Sequence, residues 1–184
     1  MPFTRPLKEL SFVSIDLETT GLVPGFDAIT EIGAARFSLR PDGAVVPGEV
    51  FEELVNPERP ISPKVSEITG IDDAMVQSAR TLDEVMPDLL AYLREEPLTV
   101  LLAHNARFDV GFLAAALSAL ELTESLPPAV CTVSLAKKNL PDAPRYGLES
   151  LIAWIGSDRI EPIESVHHRA LPDALHARNL FAHC

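Results

Sequence analysis

The chain has 184 residues, of which 47% are hydrophobic and 23% are charged, and its formal net charge is −12. This composition excludes a disordered chain and predicts one domain, residues 1–184, with a sizeable hydrophobic core. The negative charge argues against broad, sequence-independent binding of nucleic acid, because such binding depends on many lysine and arginine contacts to phosphate. It leaves open a site that meets phosphate through bound metal ions.

Three observations bear on the compartment in which the protein works. The longest apolar run, residues 110–117, is far shorter than the ~20 residues that span a bilayer. The first residues lack the apolar segment of a secretory signal. Cys131 and Cys184 are isolated and fit neither a disulfide framework nor a zinc site. We therefore expect a cytoplasmic protein that has no membrane partner.

The first part of the chain predicts three strands. A proline-containing lead-in, residues 1–10, precedes a largely apolar strand at residues 11–17. Further strands are predicted at residues 28–39 and 45–55, with a reversal at residues 41–43 between them. Because short turns join all three strands, the sequence predicts an antiparallel meander.

The rest of the chain predicts helices alternating with short strands. The predicted elements are a short helix after Ser62 and Pro63, an amphipathic helix after a capping box at residues 81–84, a buried strand at residues 98–103, a helix at residues 106–120, a strand near residues 129–130, and helices at residues 133–139, 148–155 and 170–181. Helices and strands in this order predict an α/β domain with a mixed sheet flanked by helices.

Two carboxylates interrupt the first predicted strand. Because side chains alternate between the faces of a strand, Asp16 and Glu18 point to one side and Ile15 and Leu17 to the other. Two negative charges at the end of a buried strand repel each other and resist desolvation. A bound divalent cation would offset that cost. The alternative is a strand end that reaches solvent, where both carboxylates are hydrated.

A third acid, Asp109, lies near the start of the predicted helix at residues 106–120. Asn105 is predicted at the N-cap of that helix. An acid in the first turn stabilises a helix by roughly 0.3–1 kcal/mol, which is the simpler explanation of Asp109. In an open α/β sheet, however, ligands collect beyond the carboxyl ends of the strands, and Asp109 follows such an end.

His168 and Asp173 form the last candidate pair. Five positions apart on one helix, they would face in different directions, but Pro172 predicts a helix that starts after His168. A loop-borne histidine and a helix-borne acid can then meet at one site. The simpler alternatives are a surface histidine and an ordinary helix-start acid. His167, His176 and His183 are expected to be structural or solvated. An exposed face is expected for Lys137, Lys138 and Arg145, and a phosphate-contacting edge is the alternative.

Taken together, three segments resemble the motifs of a known family. Asp16-Leu-Glu18-Thr-Thr-Gly-Leu, His104-Asn105-x-x-Phe108-Asp109 and His168-Arg-Ala-x-x-Asp173 are similar, in this order, to the three motifs of the DEDDh (DnaQ-like) 3′→5′ exonucleases. That family includes the epsilon subunit of bacterial DNA polymerase III. Residues 54–71 also resemble the segment that links its first two motifs. The resemblance implies an RNase H-like fold, whose five-stranded mixed sheet opens with an antiparallel meander.

The resemblance also implies a site and an activity. Asp16, Glu18, Asp109 and Asp173 would bind two divalent ions, Mg²⁺ or Mn²⁺, and His168 would be the general base. Together they would remove nucleoside 5′-monophosphates from 3′ ends. The charges fit, because four carboxylates and two divalent ions sum to nearly zero. The residues implied to hold the terminal nucleotide are Thr19, Thr20, Gly21, Leu22, Ile71, Asn105 and Phe108; for Leu22 and Phe108, ordinary packing is the alternative.

Several properties stay open at this stage. The expected partner is the 3′ end of a nucleic acid, with DNA favoured and RNA possible, and a polymerase partner or a homodimer is conceivable. Clamp-binding peptides of proofreading subunits typically begin with glutamine, and the only glutamine here is Gln77. We therefore expect a stand-alone exonuclease or an excised catalytic domain. The rivals are an oligoribonuclease-type enzyme and, more remotely, a non-catalytic binding module of the same fold.

Two departures from the family pattern are Cys131, where aspartate is common, and Pro172 beside Asp173.

Overall fold

The computed structural model of the protein describes residues 5–156 and 168–184. Its strands are β1 Ser11–Thr19, β2 Ile29–Leu39, β3 Val45–Leu54, β4 Thr99–Ala103 and β5 Ala129–Cys131. They form one five-stranded sheet in the order β3-β2-β1-β4-β5. Strands β1, β2 and β3 pair antiparallel, and β4 and β5 join them in parallel. The predicted mixed sheet and its opening meander are confirmed. Each strand begins and ends within two residues of its predicted limits.

Seven α-helices and a 3-10 turn at Leu7–Glu9 accompany this sheet in the described residues. They are α1 Pro63–Thr69, α2 Asp73–Val76, α3 Leu82–Arg94, α4 Arg107–Ala119, α5 Thr132–Asn139, α6 Leu148–Ile155 and α7 Ala170–His183. The predicted start of α1 is confirmed, because the Ser62 hydroxyl accepts the Val65 N–H at 3.3 Å. The predicted capping box of α3 is present as well, with the Glu84 carboxylate accepting the Thr81 N–H at 2.9 Å. No helix of residues 5–156 or 168–184 is long and apolar enough to cross a membrane.

The two faces of the sheet carry different helices. On one face, the odd-numbered side chains of β1, such as Ile15, pack with buried residues of α3 and α4, including Leu89 and Leu113. On the other face, Phe12 of β1 and Phe37 of β2 contact Phe181 of α7, with ring centroids 5.0 and 6.0 Å from that ring. Because Asp16 and Glu18 occupy even positions of β1, they point to the face that α7 covers.

A glycine on β2 lets α7 come close to Asp16. Gly33 is the β2 partner of Asp16, and a Cβ atom placed on it would lie 2.1 Å from the backbone nitrogen of Leu171. Only a residue without a side chain allows that approach. The backbone of α7 therefore touches the sheet beside the acids of β1, and Asp173 in its first turn lies near them.

Candidate active site

Elements that are distant in sequence bring the candidate acids together. Asp16 and Glu18 lie near the carboxyl end of β1, and Asp109 lies in the first turn of α4, the helix after the parallel neighbour β4. Asp173 comes from the first turn of α7. One carboxylate oxygen from each of Asp16, Glu18 and Asp173 lies within 4.8 Å of the others. Asp109 is not part of this group of three, but its charge acts on Asp16.

The electrostatics of these acids are unfavourable without a cation. Burial, followed by the charges of Asp109, Asp173, Glu18 and Glu31, raises the pKa of Asp16 well above its ordinary value. Burial, followed by the charges of Asp173 and Glu31, raises the pKa of Glu18 to about 7. Burial also raises the pKa of Asp109 to about 7, against opposing backbone hydrogen bonds from Asp109 itself and Leu17. The folded protein therefore holds these negative charges at a cost.

The donor set fits a hard divalent cation. All the donors are carboxylate oxygens, which Mg²⁺ and Mn²⁺ prefer. The Oδ2 atom of Asp109 is buried and has no hydrogen-bond partner among the described residues. A buried polar atom without a partner is costly, and a cation beside it would satisfy it. Asp16, Glu18 and Asp173, together with Asp109, whose charge acts on Asp16, are therefore suited to hold metal ions.

His168 lies between Asp173 and the carboxylate of Glu149. It precedes α7, as Pro172 predicts, and its backbone N–H donates to the carbonyl of Ile68 at 3.3 Å. Its Nδ1 atom lies 3.3 Å from Asp173 Oδ2, and its Nε2 atom lies 3.8 Å from Glu149 Oε1. Burial lowers the pKa of His168, but the hydrogen bond and charge of Asp173 and the charge of Glu149 outweigh it, so the pKa is raised overall.

A buried ion pair fixes the start of α7 and was missed by the sequence reasoning. Glu31 on β2 is fully buried and is the strand partner of Glu18. The Arg169 Nε atom donates to both carboxylate oxygens of Glu31 at 2.9 and 3.0 Å, its Nη2 atom donates to one of them, and the Ala170 N–H donates at 2.9 Å. The pair thus attaches the residue after His168 to the sheet. A charged residue in the apolar run of β2, with an arginine beside the candidate base, is the signal that could have revealed it.

Most of the candidate residues line a cleft of about 490 Å³, but Asp109, Thr20, Ile71 and Asn105 are not part of its lining. Asp16, Glu18, His168 and Asp173 form its acidic side, and the backbone turn that follows β1 contributes another part of its lining. Leu22 is 80% exposed, whereas Phe108 is partly buried against Phe112, with ring centroids 4.8 Å apart. Helix α1 supplies residues that the sequence did not suggest for the site, namely Lys64, Val65, Ile68 and Thr69.

Thr19 and Thr20 stabilise the turn after β1. The Thr19 hydroxyl donates to the carbonyl of Gly21 at 2.5 Å, and the Thr20 hydroxyl accepts the Ala28 N–H at 3.0 Å. Gly21 is needed for space, because a Cβ atom there would lie 2.4 Å from the Asp27 carboxylate. These interactions hold Leu22 at the mouth of the cleft, where Thr19 and Gly21 also line the wall.

Two expectations from the sequence need correction. The side chain of Ile71 has no exposed surface and packs with Ile61 and Val76, so it supports the fold and cannot touch a nucleotide. Asn105 is not the N-cap of α4, because that position belongs to Ala106. Asn105 adopts a left-handed conformation with φ 64°, which turns the chain one residue before the helix cap.

The other four histidines differ in their surroundings, and His183 is the last residue of α7. His104 is held by Thr132 Oγ1 and by the carbonyl of Tyr146, each at 2.9 Å, and burial lowers its pKa. His176 lies one turn from Asp173, with its Nδ1 atom 3.8 Å from Asp173 Oδ1, so it is closer to the site than expected. His167 lies outside the described residues.

The fold is that of solved exonucleases. The structure of Exonuclease I of Escherichia coli in complex with a dA16 oligonucleotide superposes with a TM-score of 0.75 at 18% identity, covering 95% of this chain and 40% of that one. Exonuclease X in complex with 5′ overhanging duplex DNA superposes with a TM-score of 0.66 at 30% identity, covering 94% of this chain and 89% of that one. The architecture is therefore the RNase H-like fold of the nucleases.

The sequence places the chain within one family of that fold. The family model described as Exonuclease (RNase_T) matches residues 13–181, and the chain belongs to this exonuclease family. A Mycobacterium tuberculosis protein named as a bifunctional exonuclease/endonuclease is 41% identical over 177 residues, covering 91% of this chain and 25% of the relative. The PolC-type DNA polymerase III of Thermotoga petrophila is 36% identical over 174 residues, covering 95% of this chain and 12% of the relative. The chain thus spans a quarter or less of the length of these two relatives.

Proposed function

We propose that the protein is a 3′→5′ exonuclease that removes nucleoside 5′-monophosphates from the 3′ ends of DNA, with single strands favoured. The observation that carries this proposal is the group of Asp16, Glu18 and Asp173 oxygens within 4.8 Å, with His168 beside it. This group lies in a cleft on an exonuclease fold. The cleft volume of about 490 Å³ suits a single nucleotide, since small-ligand sites measure about 300–1,000 Å³.

Two divalent ions, Mg²⁺ or Mn²⁺, complete the site in this proposal. Asp16, Glu18, Asp109 and Asp173 would hold them. Oxygens of Asp16, Glu18 and Asp173 lie together, and burial raises the pKa values of Asp16, Glu18 and Asp109, so their charges favour a cation. When bound, such ions would supply Lewis-acid stabilisation of the charge that develops on the phosphate and on the departing oxygen. The ions would also relieve the repulsion among the four carboxylates.

His168 acts as the general base. Asp173 holds its Nδ1 side at 3.3 Å, which leaves Nε2 to accept the proton of the attacking water. The water oxygen bonds to phosphorus, and the bond from phosphorus to the 3′ oxygen of the preceding nucleotide breaks. The released 3′ oxygen takes a proton from solvent, and the terminal nucleotide leaves as its 5′-monophosphate. The Arg169–Glu31 ion pair keeps His168 and Asp173 in register with the acids of β1.

The terminal nucleotide is held by the turn after β1 and by α4. Leu22 is exposed at the cleft, and Phe108 presents a ring that its packing on Phe112 holds in place. Stacking on such side chains contributes roughly 1–3 kcal/mol per base and tolerates every base. Lys64, which lines the same cleft from α1, offers a positive charge to the substrate.

End-labelled oligonucleotides test the polarity. A single strand labelled at its 5′ end should give a ladder that shortens by one nucleotide at a time in Mg²⁺, whereas a label on the 3′ nucleotide should be released at once as a mononucleotide. A matched RNA strand tests the preference for DNA. Immediate release of the 5′ label, or internal cuts in a circular single strand, would contradict the proposal.

A second candidate is an exonuclease domain that works beside a polymerase. The PolC-type relatives favour it, because this chain aligns with a minor part of each of those polymerases. Digestion of primer–template duplexes with paired and with mispaired 3′ ends separates the two functions. A proofreading domain should prefer the mispaired end, which is frayed and single-stranded, by at least tenfold in the presence of its polymerase. A preference that the polymerase leaves unchanged would favour independent action.

A further inference from the structure

Strand β3 forms one edge of the sheet. It pairs with β2 on one side, and no other described strand pairs with it. In an antiparallel pair, the N–H and C=O groups of successive residues point alternately toward the partner strand and away from it. The outer side of β3, called the open edge here, therefore presents a row of peptide donors and acceptors to solvent.

The pairing with β2 shows which residues of β3 face the open edge. The Val55 N–H donates to the Thr30 carbonyl at 2.9 Å, so the backbone of Val55 faces β2. The register is continuous from there back to Val50, and alternation directs the backbone groups of Val50, Glu52 and Leu54 outward. Among the described residues, these outward groups have no backbone hydrogen-bond partner. The open edge thus offers three unpaired peptide groups in sequence.

The chain itself extends this edge at one point. Just beyond β3, the Asn56 N–H faces the same side and donates to the Arg80 carbonyl at 2.9 Å. Asn56 and Thr81 also form an isolated parallel bridge. This extended segment leaves the edge at once, because α3 begins at Leu82. The open edge is therefore the continuation of a surface that already pairs with an extended segment of this chain.

The side chains along the open edge are acidic and aliphatic. Glu49 and Glu52 are exposed and have no salt bridge with a described residue, whereas Glu53 is paired with Arg80 at 2.8 Å. Between the two unpaired glutamates, Val50 is 55% exposed. Side chains of opposite charge on adjacent strands stabilise pairing by roughly 0.2–1 kcal/mol per pair. The open edge therefore favours a strand in which lysine or arginine accompanies aliphatic residues.

The same charges disfavour a second copy of this chain at the open edge. Two β3 strands that pair antiparallel about an axis between residues 50 and 51 would place Glu49 of each copy opposite Glu52 of the other. An axis at residue 52 would place the two Glu52 side chains opposite each other. Like charges in these positions destabilise pairing, and the net charge of −12 adds to the repulsion. The occupant that fits is an extended segment of opposite charge.

We propose that the open edge of β3 is a docking site for an extended, basic segment of a partner protein. The segment adds a strand to the five-stranded sheet, and its backbone pairs with the outward groups of Val50, Glu52 and Leu54. Its lysine or arginine side chains contact Glu49 and Glu52, and its aliphatic side chains contact Val50. No residue of β3 lines the candidate active-site cleft, so the docked segment leaves that cleft open.

A short basic peptide serves as the probe. A labelled peptide of about six alternating lysine and valine residues matches the length of a typical strand. Two controls carry N-methyl groups, one on the lysines and one on the valines, because a methylated nitrogen that faces β3 cannot donate. In fluorescence anisotropy, one of these controls should bind at least about tenfold more weakly than the probe. A glutamate–valine peptide should also bind at least about tenfold more weakly, and added salt should weaken the probe itself.

Matched variants of the protein locate the binding. Glu52→Lys should weaken binding of the basic peptide about tenfold, since it turns an attraction into a repulsion. Glu121→Lys makes the same charge change in the loop between α4 and β5, toward the opposite edge, and should leave the Kd unchanged. Val50→Pro removes an outward N–H and should abolish binding, whereas Val50→Thr keeps that N–H and should retain it. Both Val50 variants should melt close to the wild type, because proline is tolerated where the N–H of an edge strand faces solvent.

Backbone hydrogen exchange reads the pairing directly. In the free protein, the outward amides of Val50, Glu52 and Leu54 should exchange quickly, and those of Phe51 and Glu53, which face β2, slowly. The basic peptide should slow the exchange of the outward set. Unchanged exchange at saturating peptide, equal binding of both N-methylated controls and the probe, or equal Kd values for the wild type and Glu52→Lys would overturn the proposal. A dimer of the free protein that Val50→Pro dissociates would also overturn it, in favour of a second copy.

Discussion

Replacement of Arg169 by alanine would leave a buried carboxylate without its partner. In the native protein, Arg169 donates through Nε and Nη2 to Glu31, whose side chain is only 1% exposed. After the change, the Ala170 N–H remains as a partner of Glu31. Breaking a buried ion pair from one side typically costs about 3–5 kcal/mol, because an uncompensated charge stays behind. Domains of this size are stable by only about 5–15 kcal/mol, so the loss would be severe.

The loss appears in melting and in activity. Each kcal/mol shifts the melting temperature of a domain of this size by roughly 2–4 °C, so Arg169→Ala should melt about 6–20 °C below the wild type in calorimetry. Its kcat should fall as well, since the ion pair of Arg169 with Glu31 attaches the segment beside His168 to β2. The double variant Glu31→Gln, Arg169→Ala removes the unpaired charge and should recover part of the stability.

A surface arginine provides the matched control. Arg80 also contacts two carboxylates, Glu53 at 2.8 Å and Asp88 at 2.6 Å, but these groups are exposed to solvent. Arg80→Ala should therefore melt close to the wild type. If Arg169→Ala and Arg80→Ala lose equal stability, or if Glu31→Gln gives no recovery, the reasoning about the buried pair is wrong.

Three further predictions concern the acids and the turn after β1. The pKa values of Glu18 and Asp109 are raised to about 7 from 4.5 and 3.8, so the stability that these groups contribute is full at low pH and is lost as pH rises through about 7. A bound cation offsets this loss, and Mn²⁺ should therefore raise the melting temperature more at about pH 8 than at about pH 5. Equal rises at the two pH values would contradict the metal site. Gly21→Ala places a Cβ atom 2.4 Å from the Asp27 carboxylate and should lose about 1–3 kcal/mol in urea unfolding. Gly147→Ala, with 3.8 Å of space, should lose less, since it carries only the cost of alanine at the N-cap of α6; an equal or larger loss for Gly147→Ala would refute the crowding. Leu22→Ala should melt like the wild type, because Leu22 is 80% exposed, yet raise KM for oligothymidylate about tenfold; an unchanged KM would exclude Leu22 from substrate binding.

The raised pKa of Glu18 supports the prediction of a metal site. A pKa of about 7 in place of 4.5 means that the ionised carboxylate is less favourable in the folded protein than in the unfolded chain by about 3 kcal/mol. Glu18 is 9% exposed, so little solvent screening reduces this figure. A cation that binds only the folded protein removes the cost, and its binding energy appears as stability.

Local patterns in the sequence predicted the features that depend on residues close together along the chain, such as the direction of a side chain on a strand or the start of a helix. Alternation along β1 is enough to place Asp16 and Glu18 on one face, and Pro172 is enough to place His168 ahead of α7. Ile71 was misjudged because a motif position says nothing about burial, which depends on Ile61 and Val76 around it.

The contacts that the sequence did not reveal join distant positions. Glu31 and Arg169 are 138 positions apart, so no periodicity or cap signal connects them. The close approach of α7 at Gly33 depends on how a helix packs on a sheet, which local propensity does not determine. Similarly, Lys64 and Ile68 belong to the site because α1 and the end of β1 line the same cleft, which no local pattern in the sequence reveals.

Hydrolysis by Asp16→Asn tests the central claim most directly. The raised pKa of Asp16 shows that its charge destabilises the metal-free fold, so this variant should melt no lower than the wild type. The control Asp42→Asn makes the same change in an exposed turn, where its side chain accepts the Ala44 N–H at 3.0 Å. With single-stranded DNA in Mg²⁺, the wild type and Asp42→Asn should release nucleoside 5′-monophosphates, and Asp16→Asn should release none. Release by folded Asp16→Asn at the wild-type rate would contradict a metal-dependent exonuclease at this cleft.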